Sequence, residues 1–354
     1  MKKLRVLHLI GSAESDFFRE LSFAYAGDCI KATYDCSKYE NVIACVTPDG
    51  NWRLSDQFSR SMIDDIRPIA MPEAIREIDS YEVDVALPQM FCMAGMTQYR
   101  SLLDLLRIPF VGNLSQTMSL TADKSKSSAV VASQGVPVPD GEVIRSGQTP
   151  TIECPAVVKP VDADNSVGVS LVHSTSDFSD AIARATEHSD RVLVERFIPA
   201  GREVRCGIIE RGGSLECLPL QEYELDKQNP IRAYESKLTT NKDGEVDLAS
   251  KYHNHAWIVD NNDPLVEKVW GIARQCHIAL GCRDYSLFDF RVSPDGQPYF
   301  LEAGLYCSFA PNSIITAMVA ATGRNLESFL YEMLSQAVER DAMKLSGSLV
   351  ATPT

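Results

Sequence analysis

The sequence lacks most of the features that assign a function directly. No two of its ten cysteines are spaced as Cys-x-x-Cys, and no cluster of cysteines and its six histidines has the spacing of a zinc site. No run approaches the roughly 20 apolar residues of a membrane span. Basic residues number 34 against 48 acidic ones, so the net charge is −14. These absences argue against a disulfide framework, a structural zinc site and a nucleic-acid or membrane partner.

The opening residues 1–10 contain too short an apolar run for a signal peptide and lead at once into acidic sequence, which predicts a cytoplasmic protein. The chain then alternates short apolar runs with amphipathic segments. This alternation predicts an α/β fold that opens with a parallel, doubly wound sheet. The predicted strands are residues 4–10, 41–47, 83–87 and 109–111, and the predicted helices are residues 16–33 and 96–106.

A chain of 354 residues is expected to form two or three domains. A change of character near residue 115 suggests the first boundary. We expect an N-terminal α/β domain, a small central domain, a larger C-terminal domain and an unstructured tail, with the boundaries 1–115, 116–188, 189–345 and 346–354.

Residues 284–304 read as two strands joined at Asp295-Gly296, a dipeptide preferred in two-residue hairpin turns. With that turn, Asp289 lies opposite Glu302, and the apolar face pairs Phe288 with Ala303, Phe290 with Leu301 and Val292 with Tyr299. Directly opposed residues have Cβ atoms roughly 4.5–5.5 Å apart, and like charges so placed repel. The two acids therefore either hold a cation between them or face solvent.

Two lysines precede the hairpin in contexts that suit a phosphate group. Lys159 ends the apolar run 156–160 and is followed by a small polar loop that contains Asn165 and Ser166. Backbone N–H groups and an ammonium are a common phosphate-binding combination, although ordinary hairpins carry the same residues. Lys124 lies in a predicted helix capped by Ser119 or Thr121, and alone it reads as a solvated helix lysine.

The segments between these motifs could hold the rest of a ligand. A strand–turn–strand unit at residues 191–209 contains Glu195, Phe197, Ile198 and Glu203, and it could present backbone groups to a flat base and a carboxylate to a ribose. The long polar stretch 221–264, with Lys237, is typical of an active-site lid. Glu20 near the start of the first helix and Gln89 after a predicted strand are candidate substrate contacts. Glu20 could equally serve only the helix dipole.

In this order, the motifs resemble the ATP-grasp superfamily, and within it the D-alanine–D-alanine ligase group, over nearly the whole chain to about residue 340. The resemblance implies ATP and Mg²⁺ as cofactors, with Mn²⁺ as a substitute ion. It implies phosphate contacts for Lys124 and Lys159, with Asn165 and Ser166 in a loop that closes over the phosphates. It implies an adenine hinge at Glu195, Phe197 and Ile198, a ribose contact at Glu203, and catalytic roles for Lys237 and Ser166. It also implies metal binding by Asp289 and Glu302, and substrate contacts at Glu20 and Ser313.

The chain departs from the pattern of the group at its substrate-binding positions. Leu287 stands where the group has an arginine, Gly304 where it has an asparagine, and Gln89 within the segment that replaces a His-Gly motif. Leu238 stands where the group has a lid tyrosine. With these departures, segments 86–92 and 302–311 resemble the branch that makes mycosporine-like amino acids. That branch joins free serine, threonine or glycine to mycosporine-glycine.

Three functions are consistent with the sequence. The first is an imine-forming ligase that phosphorylates a mycosporine-glycine-like acceptor at its ring carbonyl oxygen and condenses it with a free amino acid. The second is a carboxylate–amine ligase that makes a dipeptide through an acyl phosphate. The third is an ATP-binding module without catalysis. The partners expected are small molecules, and the resemblance implies a homodimer.

Overall fold

The computed structural model describes residues 3–163, 166–199, 201–225, 230–231, 239–240, 246–247 and 256–345. The chain divides into two compact units, which are treated separately below. Unit 1 comprises Met1–Ser115, Arg211–Ser214 and Tyr306–Thr354, and unit 2 comprises Gln116–Glu210 and Leu215–Leu305. The expected division into three domains stays a prediction, and the expected tail 346–354 lies outside the described residues.

The strands of the described residues belong to several separate sheets. In chain order they are β1 Leu4–Gly11, β2 Tyr39–Val46, β3 Trp52–Ser55, β4 Val85–Pro88, β5 Gly141–Ile144, β6 Ala156–Pro160, β7 Ser170–Val172, β8 Val192–Arg196, β9 Arg202–Arg211, β10 Ser214–Cys217, β11 Gln221–Tyr223, β12 Thr239–Thr240, β13 Val246–Asp247, β14 Ala256–Ile258, β15 Tyr285–Val292 and β16 Pro298–Ala303.

Helices alternate with these strands along most of the described chain. In chain order they are α1 Asp16–Thr33, α2 Arg60–Asp65, α3 Met71–Ser80, α4 Met93–Met96, α5 Gln98–Leu105, α6 Ser115–Ala122, α7 Lys124–Ser133, α8 Phe178–Thr186, α9 Leu265–Ala279, α10 Ile314–Ala321 and α11 Leu326–Leu345. Of the helices that the structure describes, none is both long and apolar enough to cross a membrane.

Unit 1 is built on a four-stranded sheet in the order β3-β2-β1-β4. Strands β2 and β4 are parallel to β1, which confirms the predicted α/β core, whereas β3 was not predicted and adds an antiparallel edge. Successive residues of β2 point to opposite faces, because side chains alternate along a strand. Val42 and Ala44 enter one apolar cluster and Ile43 and Cys45 enter another, so both faces of the sheet are covered.

Unit 2 contains the two sheets that carry the nucleotide-site candidates. The smaller has the order β5-β8-β6-β7, and α8 covers one of its faces. The larger has the order β14-β11-β9-β15-β16, with β10 paired to β9. All eight residues of β15 are buried, since this strand lies between β9 and β16.

The β15–β16 hairpin differs from the predicted one near its turn. The turn has three residues rather than two, because the Ser293 amide donates to the Gln297 carbonyl at 3.0 Å. Gly296 takes the left-handed conformation that such turns favour, with φ of +81°. Phe290 therefore pairs with Phe300, and Val292 pairs with Pro298, so two of the predicted apolar pairs are wrong.

A register shift corrects the offset further along the hairpin. It lies between Asp289 and Phe290, and the residue left without a partner on β16 is Leu301. Beyond it, Phe288 pairs with Ala303 and Asp289 with Glu302, as predicted. A bulge re-aims side chains locally. Consistent with this, the adjacent Leu301 and Glu302 both line one cavity.

Candidate active site

The predicted helix around Lys124 is two helices with a break at Asp123. Asp123, rather than Ser119 or Thr121, caps α7 by accepting a hydrogen bond from the Lys126 amide at 3.0 Å. Burial alone would raise the pKa of Asp123, but hydrogen bonds from Ser125, Lys126 and Arg191 lower it to about 2. An ionised cap at a helix N-terminus is stabilising. The cap at Asp123 makes Lys124 the first residue of α7.

Lys124 faces the polar loop that follows β6. Its backbone amide donates to the Val161 carbonyl at 3.0 Å, and its ammonium donates to the Ala163 carbonyl. In the same loop Ser166 has a φ of +62°, a conformation uncommon outside glycine. Asn165 lies outside the described residues. Lys124 and Ser166 therefore line one cavity, and Lys124 contacts the loop expected to meet phosphate.

Lys159 and Glu195 form a buried ion pair within the smaller sheet of unit 2. Strand β6 lies antiparallel to β8, and the Lys159 Nζ lies 2.7 Å from the Glu195 Oε2. Arg196 separates Glu195 from Phe197 and Ile198, and Glu195, Phe197 and Ile198 all line the same cavity as Lys159. The Phe197 amide already donates to the Pro155 carbonyl at 3.0 Å, which holds this connection in place.

Glu203 is paired with an arginine that sequence reasoning did not select. Strands β9 and β15 are antiparallel, and their register puts Glu203 opposite Arg291. The Arg291 Nη2 lies 2.8 Å from the Glu203 Oε2 and donates to the Pro230 carbonyl at 2.9 Å. Both side chains are buried and line the cavity.

Asp289 and Glu302 lie directly opposite one another across β15 and β16, and each has a cationic neighbour. The Arg205 Nε lies 2.7 Å from the Asp289 Oδ1, and the Lys124 Nζ lies 3.7 Å from the Glu302 Oε2. The predicted acid pair is thus present, with its negative charge balanced by the two cations.

One cavity of unit 2 brings most of the predicted nucleotide-site residues together. Apart from the ion pairs and Ser166, its side chains are apolar, which suits a flat base. Its lining includes Lys124, Lys159, Ser166, Glu195, Phe197, Ile198, Glu203, Asp289, Arg291, Leu301 and Glu302. Lys237, the predicted catalytic lysine, lies outside the described residues.

The acid pair meets the requirements of a divalent ion. Mg²⁺ is usually held by one or two protein carboxylates together with substrate phosphates, rather than by a full protein cage. Within the described residues no group of three or more His, Cys, Asp or Glu side chains forms such a cage. Two opposed carboxylates beside Lys124 and Lys159 therefore fit a magnesium ion that arrives with phosphate oxygens.

Leu287 and Gly304 lie next to the acid pair in the larger sheet. The Gly304 amide donates to the Leu287 carbonyl at 2.8 Å. A Cβ added at Gly304 would lie 3.9 Å from the Leu287 Cδ2, an ordinary contact distance. Leu287 is buried. This end of the hairpin therefore carries an apolar side chain and open space, and neither position adds a charge.

In unit 1, Glu20 is bound to another side chain. Both Glu20 carboxylate oxygens accept hydrogen bonds from Arg60, one of them at 2.6 Å. Arg60 also bonds Asp64 at 2.7 Å and lies over the Phe23 ring at 4.6 Å. A substrate ammonium at Glu20 would have to share this carboxylate with Arg60, or displace it.

The two other unit 1 candidates differ in their surroundings. Gln89 is fully buried, and its amide is 3.0 Å from the His8 Nδ1 and donates to the Ser308 carbonyl at 2.9 Å. Ser313 precedes α10 at the N-cap position, with its Oγ 3.8 Å from the Cys307 Sγ. Gln89 therefore contributes to the interior of unit 1, whereas Ser313 stands at a helix start.

Sequence reasoning missed Arg205 and Arg291, although a signal was present. Each follows an acid by two residues in its own strand, as Glu203-x-Arg205 on β9 and Asp289-x-Arg291 on β15. Antiparallel pairing crosses the two motifs, so each acid faces the arginine of the other strand. Finding this from sequence requires the pairing of β9 with β15, which are about 80 residues apart.

Comparison with known proteins shows which family the sequence matches. The family profile described as "D-ala D-ala ligase C-terminus" matches residues 132–335, which is more than half of the chain. The D-alanine–D-alanine ligase of Mycolicibacterium smegmatis is 26% identical over 96% of both chains. The vancomycin B-type resistance protein VanB of Enterococcus faecalis is 26% identical over 96% of this chain and 100% of its own.

Solved structures share the fold at lower identity. A D-alanine–D-alanine ligase from Coxiella burnetii matches with a TM-score of 0.73 at 20% identity, covering 98% of this chain and 97% of its own. The VanG D-Ala:D-Ser ligase of Enterococcus faecalis matches with a TM-score of 0.72 at 19% identity, covering 96% and 100%. A Bacillus anthracis D-alanine–D-alanine ligase complexed with ATP matches with a TM-score of 0.70 at 18% identity, covering 96% and 99%.

Proposed function

Because the chain belongs to the D-alanine–D-alanine ligase family, and so is an ATP-dependent ligase that forms carbon–nitrogen bonds, we propose that it joins the carboxylate of one small molecule to the amine of an amino acid. One observation carries the proposal. Two lysine ammonium groups and two directly opposed carboxylates line a single cavity of unit 2. That combination suits a nucleoside triphosphate and a divalent ion.

The proposed roles follow from the positions of the side chains. Lys124 and Lys159 bind the phosphates, with Asn165 and Ser166 closing over them. Glu195, Phe197 and Ile198 receive the adenine, and Glu203 receives the ribose. Asp289 and Glu302 hold Mg²⁺, which neutralises phosphate charge when it is bound. We also assign Lys237 to the transferred phosphate, and Glu20, Gln89, Leu287, Gly304 and Ser313 to the substrates.

The reaction proceeds in two steps that balance. A carboxylate oxygen of the first substrate attacks the γ-phosphorus, ADP leaves, and an acyl phosphate forms. The amine nitrogen of the second substrate then attacks the acyl carbon, phosphate leaves, and the ammonium-derived proton goes to solvent. The protein supplies positioning and positive charge at the phosphates, which are the main contributions available for phosphoryl transfer.

The experiment measures phosphate release with ATP and Mg²⁺, followed by product mass. D-Alanine alone, D-alanine with D-serine, and mycosporine-glycine with serine, threonine or glycine are supplied in turn. Phosphate release with D-alanine, alone or with D-serine, and a product lighter than its substrates by one water would support the carboxylate–amine ligase. No phosphate release from any sample, in a protein that binds ATP, would contradict it.

Two variants connect the activity to the site. Asp289→Asn and Glu302→Gln each remove a proposed metal ligand with little change in shape. We expect at least a hundredfold loss of phosphate release from each, since removing a group that stabilises charge in a transition state costs about that factor. Glu187→Gln, an exposed acid of unit 2, is the matched control and should retain wild-type rates.

A second candidate substrate is favoured by the uncharged end of the hairpin. Leu287 and Gly304 are themselves uncharged, although Arg205 pairs with Asp289 nearby, and the buried apolar side chain of Leu287 suits a conjugated ring. The ring carbonyl oxygen of mycosporine-glycine is part of a vinylogous carboxylate. It can attack the γ-phosphorus of ATP, and an amino acid amine can then displace phosphate to give an imine.

The same panel separates the two candidates. Phosphate release that requires mycosporine-glycine, with a product lighter than the two substrates by one water, would establish the imine-forming ligase. In that case Leu287→Arg should reduce turnover of the ring substrate, while Val143→Arg, at an exposed position of β5, should not. Unchanged kinetics in Leu287→Arg would count against an apolar acceptor pocket.

A further inference from the structure

Arg205 stands out because it neutralises a carboxylate proposed as a metal ligand. Its guanidinium lies 2.7 Å from the Asp289 Oδ1, and the two side chains are only 14% and 7% exposed. It also packs over the Tyr223 ring, with 5.3 Å between the guanidinium carbon and the ring centroid. An arginine keeps its charge at any ordinary pH. Asp289 is thus held by a permanent cation on a largely buried sheet face.

The acid pair and its two cationic neighbours, Arg205 and Lys124, have formal charges that sum to zero. Asp289 and Glu302 contribute two negative charges, and Arg205 and Lys124 contribute two positive ones. A divalent ion approaching such a group gains attraction from the carboxylates but is repelled by the cations. Nucleotide phosphates change this balance, because they add several negative charges beside Lys124.

We propose that Arg205 makes divalent-metal binding depend on the nucleotide, so that the ion is held firmly only together with phosphate. This inference rests on the proposed function. Arg205 acts through Asp289 and is therefore a positioning residue. Without nucleotide it occupies one oxygen of Asp289 and opposes the metal. With nucleotide, the added phosphate charge offsets that opposition.

The size of the effect follows from the contact that the metal must overcome. An opposite charge within about 4–6 Å changes the proton affinity of a carboxylate by about ten- to a thousandfold, and a metal ion at that carboxylate meets the same charge. A variant that lacks Arg205 should therefore bind a divalent ion alone at least about tenfold more tightly. Because the proposal leaves metal affinity in the nucleotide complex unchanged, the tightening of metal binding by nucleotide should shrink by the same factor. By reciprocity, the tightening of nucleotide binding by metal should shrink equally.

The test uses Mn²⁺ on the full chain, with free Mn²⁺ measured by electron paramagnetic resonance in the absence of nucleotide. Arg205→Met is expected to bind Mn²⁺ at least about tenfold more tightly than the wild type, and Arg205→Lys should stay near the wild type. Arg184→Met removes the same charge from a guanidinium that donates to Ser170, and it should leave Mn²⁺ affinity unchanged. The double variant Arg205→Met/Asp289→Asn should lose the gain.

Each other outcome decides against the inference. Unchanged Mn²⁺ affinity in a folded Arg205→Met protein would overturn it, and weaker affinity would show that Arg205 supports the metal by orienting Asp289. If Arg205→Met does not fold, Arg205→Gln removes the same charge and takes its place, with the same expected gain. In the wild type, after the Mn²⁺ held by ADP in solution is subtracted, the protein–ADP complex should bind Mn²⁺ at least about tenfold more tightly than the protein alone, and a smaller gain would refute the proposed dependence. Failure of the wild type to bind ADP at all would overturn the proposed function instead.

Discussion

Replacing Lys159 by methionine should destabilise unit 2 strongly, because it removes the cation that accompanies a buried carboxylate. The Lys159 Nζ lies 2.7 Å from the Glu195 Oε2, and the side chains are 9% and 5% exposed. Removing one partner of a buried pair costs about 3–5 kcal/mol, since the remaining charge has lost both water and its partner. For a unit of this size, each kcal/mol lowers the melting temperature by roughly 2–4 °C. We therefore expect a decrease of about 6–20 °C.

The assay is thermal unfolding at neutral pH without nucleotide, followed by circular dichroism and calorimetry. The double variant Lys159→Met/Glu195→Gln removes both charges and should recover most of the loss. Lys126→Met, which removes an exposed lysine from Asp123 while Arg191 still pairs with that carboxylate at 2.8 Å, is the matched control. It should cost no more than about 1 kcal/mol. A Lys159→Met protein that melts within 2 °C of the wild type, a difference of about 1 kcal/mol or less, would refute the reasoning. A double variant that is no more stable than Lys159→Met would also refute it.

Two further predictions concern folding away from the cavity. Gly11→Ala should destabilise unit 1 far more than Gly50→Ala in urea unfolding, because a Cβ at Gly11 would lie 2.0 Å from the Val46 carbonyl oxygen. Gly50 has a similar positive φ but faces open space. Equal losses of stability in the two variants would show that only backbone strain matters. Burial lowers the pKa of His277 to about 4 from its ordinary value of 6.5. The unfolded chain then binds more protons between these values, so stability should fall as the pH is lowered from 6.5 to 4. His277→Gln, which keeps a polar group beside Ser286, should flatten that part of the pH profile, and an unaltered profile would contradict the assignment.

Local patterning accounts for the elements that sequence reasoning predicted well. The bounds of α1 agree with the predicted 16–33, and β1 differs from its prediction by one residue. The strand β1 is a short, nearly continuous apolar run, and α1 begins with the N-cap Ser15 and the acidic Asp16, which are properties of the segments themselves. The strand β3 and the break at Asp123 were missed for the opposite reason. β3 is four residues long, and the cap depends on a side chain that also bonds Arg191, 68 positions away.

The position of the acid pair was predicted correctly from an incomplete description of the hairpin. A three-residue turn shifts the pairing of β15 and β16 by one position, and the bulge at Leu301 shifts it back. The two deviations cancel only beyond the bulge, so Asp289 meets Glu302 while Phe290 and Val292 do not meet their predicted partners. Turn length and bulges depend on backbone geometry that a two-residue motif specifies only in part.

Unlike Lys124 and Lys159, the two arginines Arg205 and Arg291 were not predicted, because placing them beside the acids requires the pairing of β9 with β15, which are distant in sequence. Glu203-x-Arg205 and Asp289-x-Arg291 each place an acid and an arginine on one face of a strand, because side chains alternate. Antiparallel pairing then joins each acid to the arginine of the other strand. This crossed arrangement explains how four charged side chains remain on a largely buried face, since an unpaired charge there would be costly. It also gives the site a balanced charge before any ligand arrives, so nucleotide and metal are each expected to favour binding of the other.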